Sequence, residues 1–180
     1  MLAIRQRFWI FAIVLAFAAG CSTPMGSDAD PDPDANLIVS GERIGDLASI
    51  GTAGSVIRAM PGGETVAISN PPSTLYVFRD EAGLILHTIA VCTSSDVVST
   101  ITIFNHPDNE RFVTAAGLSV GSSESDVFAA LGTPDRTRGF TNSRIHEYDE
   151  ISDGSYGLAF SILLTDASSA HFIGVGGECQ

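Results

Sequence analysis

Apolar and polar residues alternate along several segments of this chain, and a period of two predicts β-strands. One strand would place four residues on a single face: Leu158, Phe160, Ile162 and Leu164. A strand in the first half would do the same with Leu84, Leu86, Thr88 and Ala90. Segments 97–104 and 170–175, rich in Val, Ile, Thr or Phe, predict two more strands.

A short helix is predicted between these strand regions. Ser123, followed by Asp126 three residues later, is typical of a capped helix start. An apolar stripe of Val127, Phe128 and Leu131 follows, and Gly132 with Pro134 ends the helix. Short helices followed by runs of strands predict an α+β fold, in which the helices pack on small antiparallel sheets.

Weak internal similarity indicates two tandem copies of this unit. Residues 56–61 align with 127–132 at an offset of 71, and Tyr76 aligns with Tyr148 at an offset of 72. We therefore predict a degenerate first α+β repeat over 37–108 and a second repeat over 109–180.

The N-terminus predicts an export signal. Arg5 and Arg7 precede an apolar run over 8–19, which is shorter than the roughly 20 residues of a spanning helix. Residues 18–21, Ala-Ala-Gly-Cys, resemble the lipobox of bacterial lipoproteins. The resemblance implies that 1–20 is removed and that Cys21 carries diacylglyceryl and a further acyl chain such as palmitate. An ordinary signal peptide with a chance cysteine is the alternative.

Localisation and the linker follow from the next residues. By the same resemblance, Ser22 favours the outer membrane over the inner membrane of the cell envelope. Residues 21–36 carry four aspartates and two prolines between Asp28 and Asp34, a composition that predicts an extended acidic tether. A calcium loop is the alternative, but Pro33 and Val39 replace the glycine and glutamate that it needs.

Charge and cysteine content limit the function classes. Without Arg5 and Arg7 the chain has seven arginines against 21 acids and a charge of about −14, which argues against nucleic acid as a partner. Lysine is absent, so Schiff-base catalysis is excluded. With Cys21 lipidated, Cys92 and Cys179 remain as a possible disulfide in an oxidising compartment; two buried thiols are the alternative.

The second half resembles a known superfamily. Residues 121–135 fit the pattern G-x-[ST]-x-x-x-V-x-x-x-L-G-x-P, followed by Glu147-Tyr148 and 158–160. This resembles the superfamily of the barrel-assembly lipoprotein BamE and the tandem-domain β-lactamase inhibitor protein. The resemblance implies a short helical pair on one face of a small antiparallel sheet, and says more about fold than activity. In the first copy, residues 60–62, Met-Pro-Gly, stand in place of the L-G-x-P part of this pattern.

Candidate catalytic residues are few. Residues 117–121 fit G-x-S-x-G, so Ser119 with Asp166 and His171 could form a small serine hydrolase. The predicted helix begins too late for a nucleophile elbow, and turn geometry is the preferred explanation.

The remaining polar residues indicate structural roles. Three histidines fall in predicted strands: His87, His146 and His171. Residues 106–110 form a Pro/Asp/Asn turn rather than a metal site, and no metal is proposed. Two acidic clusters are expected to be solvated: Asp80-Glu81, and Glu147, Asp149 and Glu150. Four aromatics are candidate interface anchors, although core packing explains them equally well: Tyr76, Phe78, Tyr148 and Tyr156.

Together these features predict a non-enzymatic envelope lipoprotein, anchored through Cys21 and without a cofactor. Its expected work is binding an envelope protein, in assembly or scaffolding. An inhibitor of an envelope or exported enzyme is the first alternative, and the Ser119 hydrolase is the second.

Overall fold

The computed structural model describes residues 34–69, 72–152, 155–164 and 168–176. The predicted signal segment 1–20, Cys21, most of the predicted tether and Cys179 lie outside the described residues. Residues 32–180 form one compact unit. Within the described ranges, no helix is long and apolar enough to cross a membrane.

An eight-stranded antiparallel sheet dominates the fold. Its strands are β4 (Glu64–Ser69), β5 (Pro72–Arg79), β6 (Ile85–Cys92), β7 (Val98–Phe104), β9 (Arg136–Gly139), β10 (Ser143–Ser152), β11 (Ser155–Leu163) and β12 (Ala170–Gly176). They lie in the order β4-β5-β6-β7-β12-β11-β10-β9, so β7 and β12 pair at the centre and β4 and β9 form the edges.

A second, smaller sheet comes from segments to which the sequence analysis assigned no structure. Its strands are β1 (Leu37–Val39), β2 (Arg43–Ile44), β3 (Ala48–Ser49) and β8 (Val113–Thr114). The order is β3-β2-β1-β8, and β1 and β8 run parallel. Ile38 and Ile44 of this sheet belong to the same buried cluster as Ile101 and Ile173 of the large sheet.

The predicted α+β fold with helices packed on small sheets is wrong. The described residues contain two short α-helices, α1 (Gly54–Arg58) and α2 (Glu124–Leu131). Each places one apolar side chain in the core, Ile57 or Val127, and exposes most of its other residues. Helices of five and eight residues are too short to cover an eight-stranded sheet, and the small sheet contributes the rest of the cover.

The capped start and glycine end of α2 are confirmed. The Ser123 hydroxyl accepts a hydrogen bond from the Asp126 amide at 3.1 Å, and Gly132 ends the helix with φ of 78°. The 97–104 and 170–175 strands are also confirmed, within a residue, as β7 and β12.

The strand predicted from Leu84 to Ala90 is confirmed as β6, but it starts one residue later and continues to Cys92. Leu84 lies in the turn before β6 and is 59% exposed, whereas Ile89 and Val91 belong to the core cluster. Thr88 on the opposite face is buried as well, so both faces of β6 carry apolar or small residues. A period of two cannot select the core face when both faces are buried.

The two halves of the large sheet correspond element by element. In each half, a short helix precedes four antiparallel strands in the sequence. The isolated bridges Ala53–Val97 and Ser123–Ser169 occupy equivalent positions, as do register shifts after Ala90 and Ser161. The division into copies at 108/109 stays a prediction.

The structural correspondence shifts the helix alignment by one residue. Ile57, 1% exposed, occupies the place of Val127, 0% exposed, which is an offset of 70. Val56, which the predicted offset of 71 matches to Val127, is 52% exposed.

Candidate functional site

Helix α2 and strands β9 and β10 meet in a chain of polar contacts. His146 on β10 is 2% exposed, and its Nε2 lies 2.8 Å from Glu124 Oε1 at the start of α2. Its Nδ1 lies 3.0 Å from Thr137 Oγ1 on β9, and Phe128 packs edge-on against the ring. Both ring nitrogens are therefore paired, which meets the requirement for a buried imidazole.

The Ser123 cap positions Glu124 for its contact with His146. By fixing the first turn of α2, it presents Glu124 to β10. Tyr148 lies near Glu124. Burial, followed by the charges of Glu124 and Asp135, raises the pKa of Tyr148 to about 12. Tyr148 is 6% exposed, so its phenol stays protonated at neutral pH.

Residue 147 lies on the other face of β10, because neighbouring strand residues point in opposite directions. Glu147 is 5% exposed, and its Oε1 lies 2.9 Å from Arg138 Nε. Arg136 Nε lies 3.7 Å from Oε2. The prediction that Glu147 is solvated is therefore wrong, because strand pairing between β9 and β10 places two arginines over it.

Tyr156 lies near the same carboxylate. Burial, followed by the charge of Glu147, raises the pKa of its phenol. Its hydroxyl lies close to Gly174, where an added Cβ would sit 3.7 Å away. Glu147, the two arginines and Tyr156 thus form a polar cluster, whose Arg136 and Arg138 side chains stay 48% and 38% exposed. We call this cluster the arginine edge.

The opposite edge of the sheet, β4, has a different surface. Five of its six residues are exposed, and Val66 is 50% exposed. Among the described residues β4 pairs with β5 alone, in an unbroken register from Glu64–Val77 to Ser69–Pro72. Arg79 contacts Glu64 at 3.1 Å.

Two cavities open beside these elements. One of about 400 Å³ is lined by Phe128, Gly132, Thr133 and Pro134 at the end of α2. Another of about 290 Å³ lies between β1 and α2, with residues such as Leu37, Leu131 and Leu158 in its wall. Both walls are mainly apolar.

The predicted hydrolase residues are only partly described. The Ser119 hydroxyl donates to the Val120 carbonyl at 3.2 Å in a turn that includes Gly117 and Gly121, both with positive φ. His171 is exposed, and Asp166 lies outside the described residues. The catalytic array therefore stays an untested alternative.

The other predicted polar sites are structural where they are described. The turn at 106–110 is confirmed: a 3₁₀ helix spans Pro107–Asn109, and the Asp108 amide donates to His106 Nδ1 at 3.2 Å. Across the described ranges, no group of three His, Cys, Asp or Glu side chains is placed to hold a metal ion.

Three of the predicted interface aromatics are not available to a partner. Tyr76, Phe78 and Tyr148 are 6–7% exposed and belong to the core cluster. Tyr156 is partly buried beside Glu147. The arginine edge could not be predicted from local sequence, because its residues come together only through β9–β10 pairing. The alternation of Arg136, Thr137 and Arg138 was the available signal.

Cys92, at the end of β6, is 3% exposed and disulfide-bonded. The predicted partner, Cys179, lies outside the described residues, and the pairing of the two stays a prediction.

No protein-family model and no curated protein matches this chain. Two crystal structures are similar to it. The uncharacterized protein yfeY from Escherichia coli has 12% identity and a TM-score of 0.47, with 78% of this chain and 97% of that chain covered. The DUF4309 family protein YjgB from Bacillus subtilis has 12% identity and a TM-score of 0.30, with 65% of each chain covered.

Proposed function

We propose that this chain is a non-enzymatic protein-binding module, held at the envelope membrane by lipid on Cys21. The observation that carries the binding role is the outer edge of β4, which has no strand partner among the described residues and is exposed along five of six residues. An edge strand presents unpaired N–H and C=O groups, and an extended partner segment can add to it as a further strand.

Strand β4 lacks the features that usually prevent strand addition. Its register with β5 contains no bulge, and its sequence, Glu-Thr-Val-Ala-Ile-Ser, contains no lysine or proline. Its one charge, on Glu64, is paired with Arg79. Val66 and Ile68 lie on one face, opposite Leu75 and Ser73 of β5, and offer apolar contacts to a partner's alternate side chains.

Strand addition is tested in intact envelopes with a photo-crosslinking residue in place of Val66. The matched control carries the same residue in place of Leu84, which is 59% exposed against 50% for Val66 and lies in the turn before β6. We expect a discrete protein adduct from position 66 that position 84 does not form. The same adducts from both positions, or none from position 66, would contradict binding at β4.

The anchor is tested separately by metabolic labelling with an alkyne fatty acid. Wild-type chain is expected to incorporate the label and sediment with membranes. The Cys21→Ser variant is expected to lose both properties, and label retained by this variant would exclude Cys21 as the attachment site.

An inhibitor of an envelope or exported enzyme is a second candidate. The correspondence between the halves of the large sheet favours it, because the superfamily that residues 121–135 resemble includes a tandem-domain enzyme inhibitor. Identification of the adduct from position 66 distinguishes the two: an enzyme whose activity falls on addition of this chain supports inhibition, and an assembly component supports scaffolding.

A further inference from the structure

The edge strand β9 carries two arginines on one face. Arg136 and Arg138 both contact Glu147, while Thr137 between them contacts His146 on the other face. Among the described residues β9 pairs with β10 alone, so its outer backbone edge is free. The side chains of Arg136 and Arg138 are 48% and 38% exposed beside this edge.

The Glu147 carboxylate does not neutralise the charge of both arginines. Glu147 is almost fully buried and contributes one negative charge against two positive charges. Arg138 Nε is buried and, despite its 2.9 Å separation from Glu147, makes no aligned hydrogen bond. Against the Glu147 carboxylate alone, the two arginines therefore keep one net positive charge.

The corresponding pair in the first half shows that the fold does not require these charges. There, Val66 of β4 lies opposite Leu75 of β5, at the place that Arg136 and Glu147 occupy in the second half. Two edges with the same backbone arrangement thus carry apolar groups in one case and charged groups in the other.

Of the five other arginines in the described ranges, Arg144 lies 3.6 Å from Glu124, which His146 also contacts, and the remaining four are matched one to one. The pairs are Arg43–Asp34, Arg58–Asp96, Arg79–Glu64 and Arg111–Asp46, with N–O distances of 2.8–3.2 Å. In these pairs the carboxylate is itself exposed by 52–65%. The arginine edge differs, because two accessible guanidinium groups share one buried acid.

We propose that β9 is a second docking edge, specific for an extended acidic segment of a partner protein. The segment's backbone adds to β9, and an Asp or Glu side chain on it binds Arg136 and Arg138. Arginine favours such a partner, since its planar guanidinium binds carboxylates through two parallel hydrogen bonds. This site goes beyond the proposed function, which rests on β4.

The test uses the full mature lipidated chain in neutral detergent and a fluorescent seven-residue peptide that alternates Glu with Val and Thr. Binding is measured by fluorescence anisotropy, and protection of backbone amides by hydrogen exchange. We expect the peptide to protect residues 136–139 and Arg136→Gln/Arg138→Gln to raise its Kd by roughly tenfold or more. The matched control, Arg43→Gln/Arg111→Gln, removes the same charge from the small-sheet region and is expected to change Kd less than about twofold.

Three outcomes would overturn the proposal: equal binding of a peptide with Lys in place of Glu, an unchanged Kd in the β9 double variant, or protection outside 136–139. In a further arm of the experiment, phosphatidylglycerol vesicles replace the peptide. If the wild-type chain binds these vesicles and the β9 variant does not, the arginines bind lipid phosphate instead. Circular dichroism checks that each variant is folded. Crosslinking from position 66 is repeated in the β9 variant. It tests binding at β4 alone, so failure of one proposal can be told from failure of the other.

Discussion

His146 and Glu124 are joined at 2.8 Å between the imidazole Nε2 and the carboxylate, which links the buried face of β10 to the first turn of α2. Thr137 extends the link to the edge strand β9. One buried side chain thus connects a helix, an inner strand and an edge strand. The position of the arginine edge depends on this connection, because Arg136 and Arg138 flank Thr137.

Replacing His146 tests how much this link contributes. His146→Ala is expected to lower the free energy of unfolding by about 2–4 kcal/mol, because it leaves a cavity and removes a partner from Glu124 and Thr137. Urea denaturation measures the loss. His171→Ala, at an exposed strand position, is the control and is expected to change stability by less than about 0.5 kcal/mol. Equal effects of the two substitutions would contradict a structural role for the link.

His87 is expected to make stability depend on pH. The ring stacks on Phe78 at 4.5 Å, and burial lowers its pKa from 6.5 to about 4. Between these values the unfolded chain binds a proton that the folded chain does not, so stability falls as pH decreases from about 7 to 4 and then levels off. Partial solvation of the ring limits the effect to about 1–2 kcal/mol.

The measurement compares urea denaturation at pH 7 and pH 4.5 in wild type, His87→Gln and His171→Gln. The wild type and His171→Gln are expected to lose stability similarly, and His87→Gln to lose less by the stated amount. A pH dependence unaltered in His87→Gln would show that folding does not lower the pKa of this imidazole.

Alanine substitutions at Gly45 and Gly51 distinguish the cost of a steric clash from the cost of backbone strain. Both have positive φ, 47° and 81°, so alanine is strained at either position. At Gly45 an added Cβ would also meet the Ala35 carbonyl oxygen and Phe112, whereas at Gly51 it would meet nothing within 4 Å. Thermal unfolding is expected to show a loss of about 1–2 kcal/mol for Gly51→Ala and a further 1–3 kcal/mol for Gly45→Ala. Equal losses would show that the clash is relieved without cost.

The Cys92–Cys179 pairing is expected to close a loop that contains most of the large sheet. Cys179→Ser is expected to lower the free energy of unfolding by about 2–5 kcal/mol, because a long loop is freed in the unfolded chain. Peptide mapping without reductant should recover a peptide pair joined through positions 92 and 179. Free thiols at both positions in unreduced, folded protein would rule out this bridge, and the Cys21→Ser background removes the third cysteine from the assay.

The parts of the fold that were predictable depend on short-range signals. The α2 cap needs only Ser123 and Asp126, and β12 needs only a local run of strand-forming residues. The small sheet was not predictable, because β1 and β8 are paired across 76 residues and each has only two or three residues. The core-facing side of β6 was not predictable either, since buried residues lie on both of its faces, Thr88 on one and Ile89 on the other.

The candidate sites show the same limit. His146 was expected in a strand, which is confirmed, but its contact with Glu124, 22 residues away, depends on how the helix packs on the sheet. Glu147 looks solvated in sequence because it lies among Asp149 and Glu150. Its burial follows from tertiary pairing with β9, which outweighs the local preference of a carboxylate for water.

The central pairing of β7 with β12 has a consequence for the order of folding. Strands β4 to β7 are neighbours in sequence and can pair as soon as they are synthesised, but β12 begins 66 residues after the end of β7. During that interval β7 is itself an unprotected edge, lined by Ile101 and Ile103. A half-finished chain is therefore more prone to aggregate than the finished protein, and a factor that shields β7 until β12 arrives would raise the yield of folded molecules.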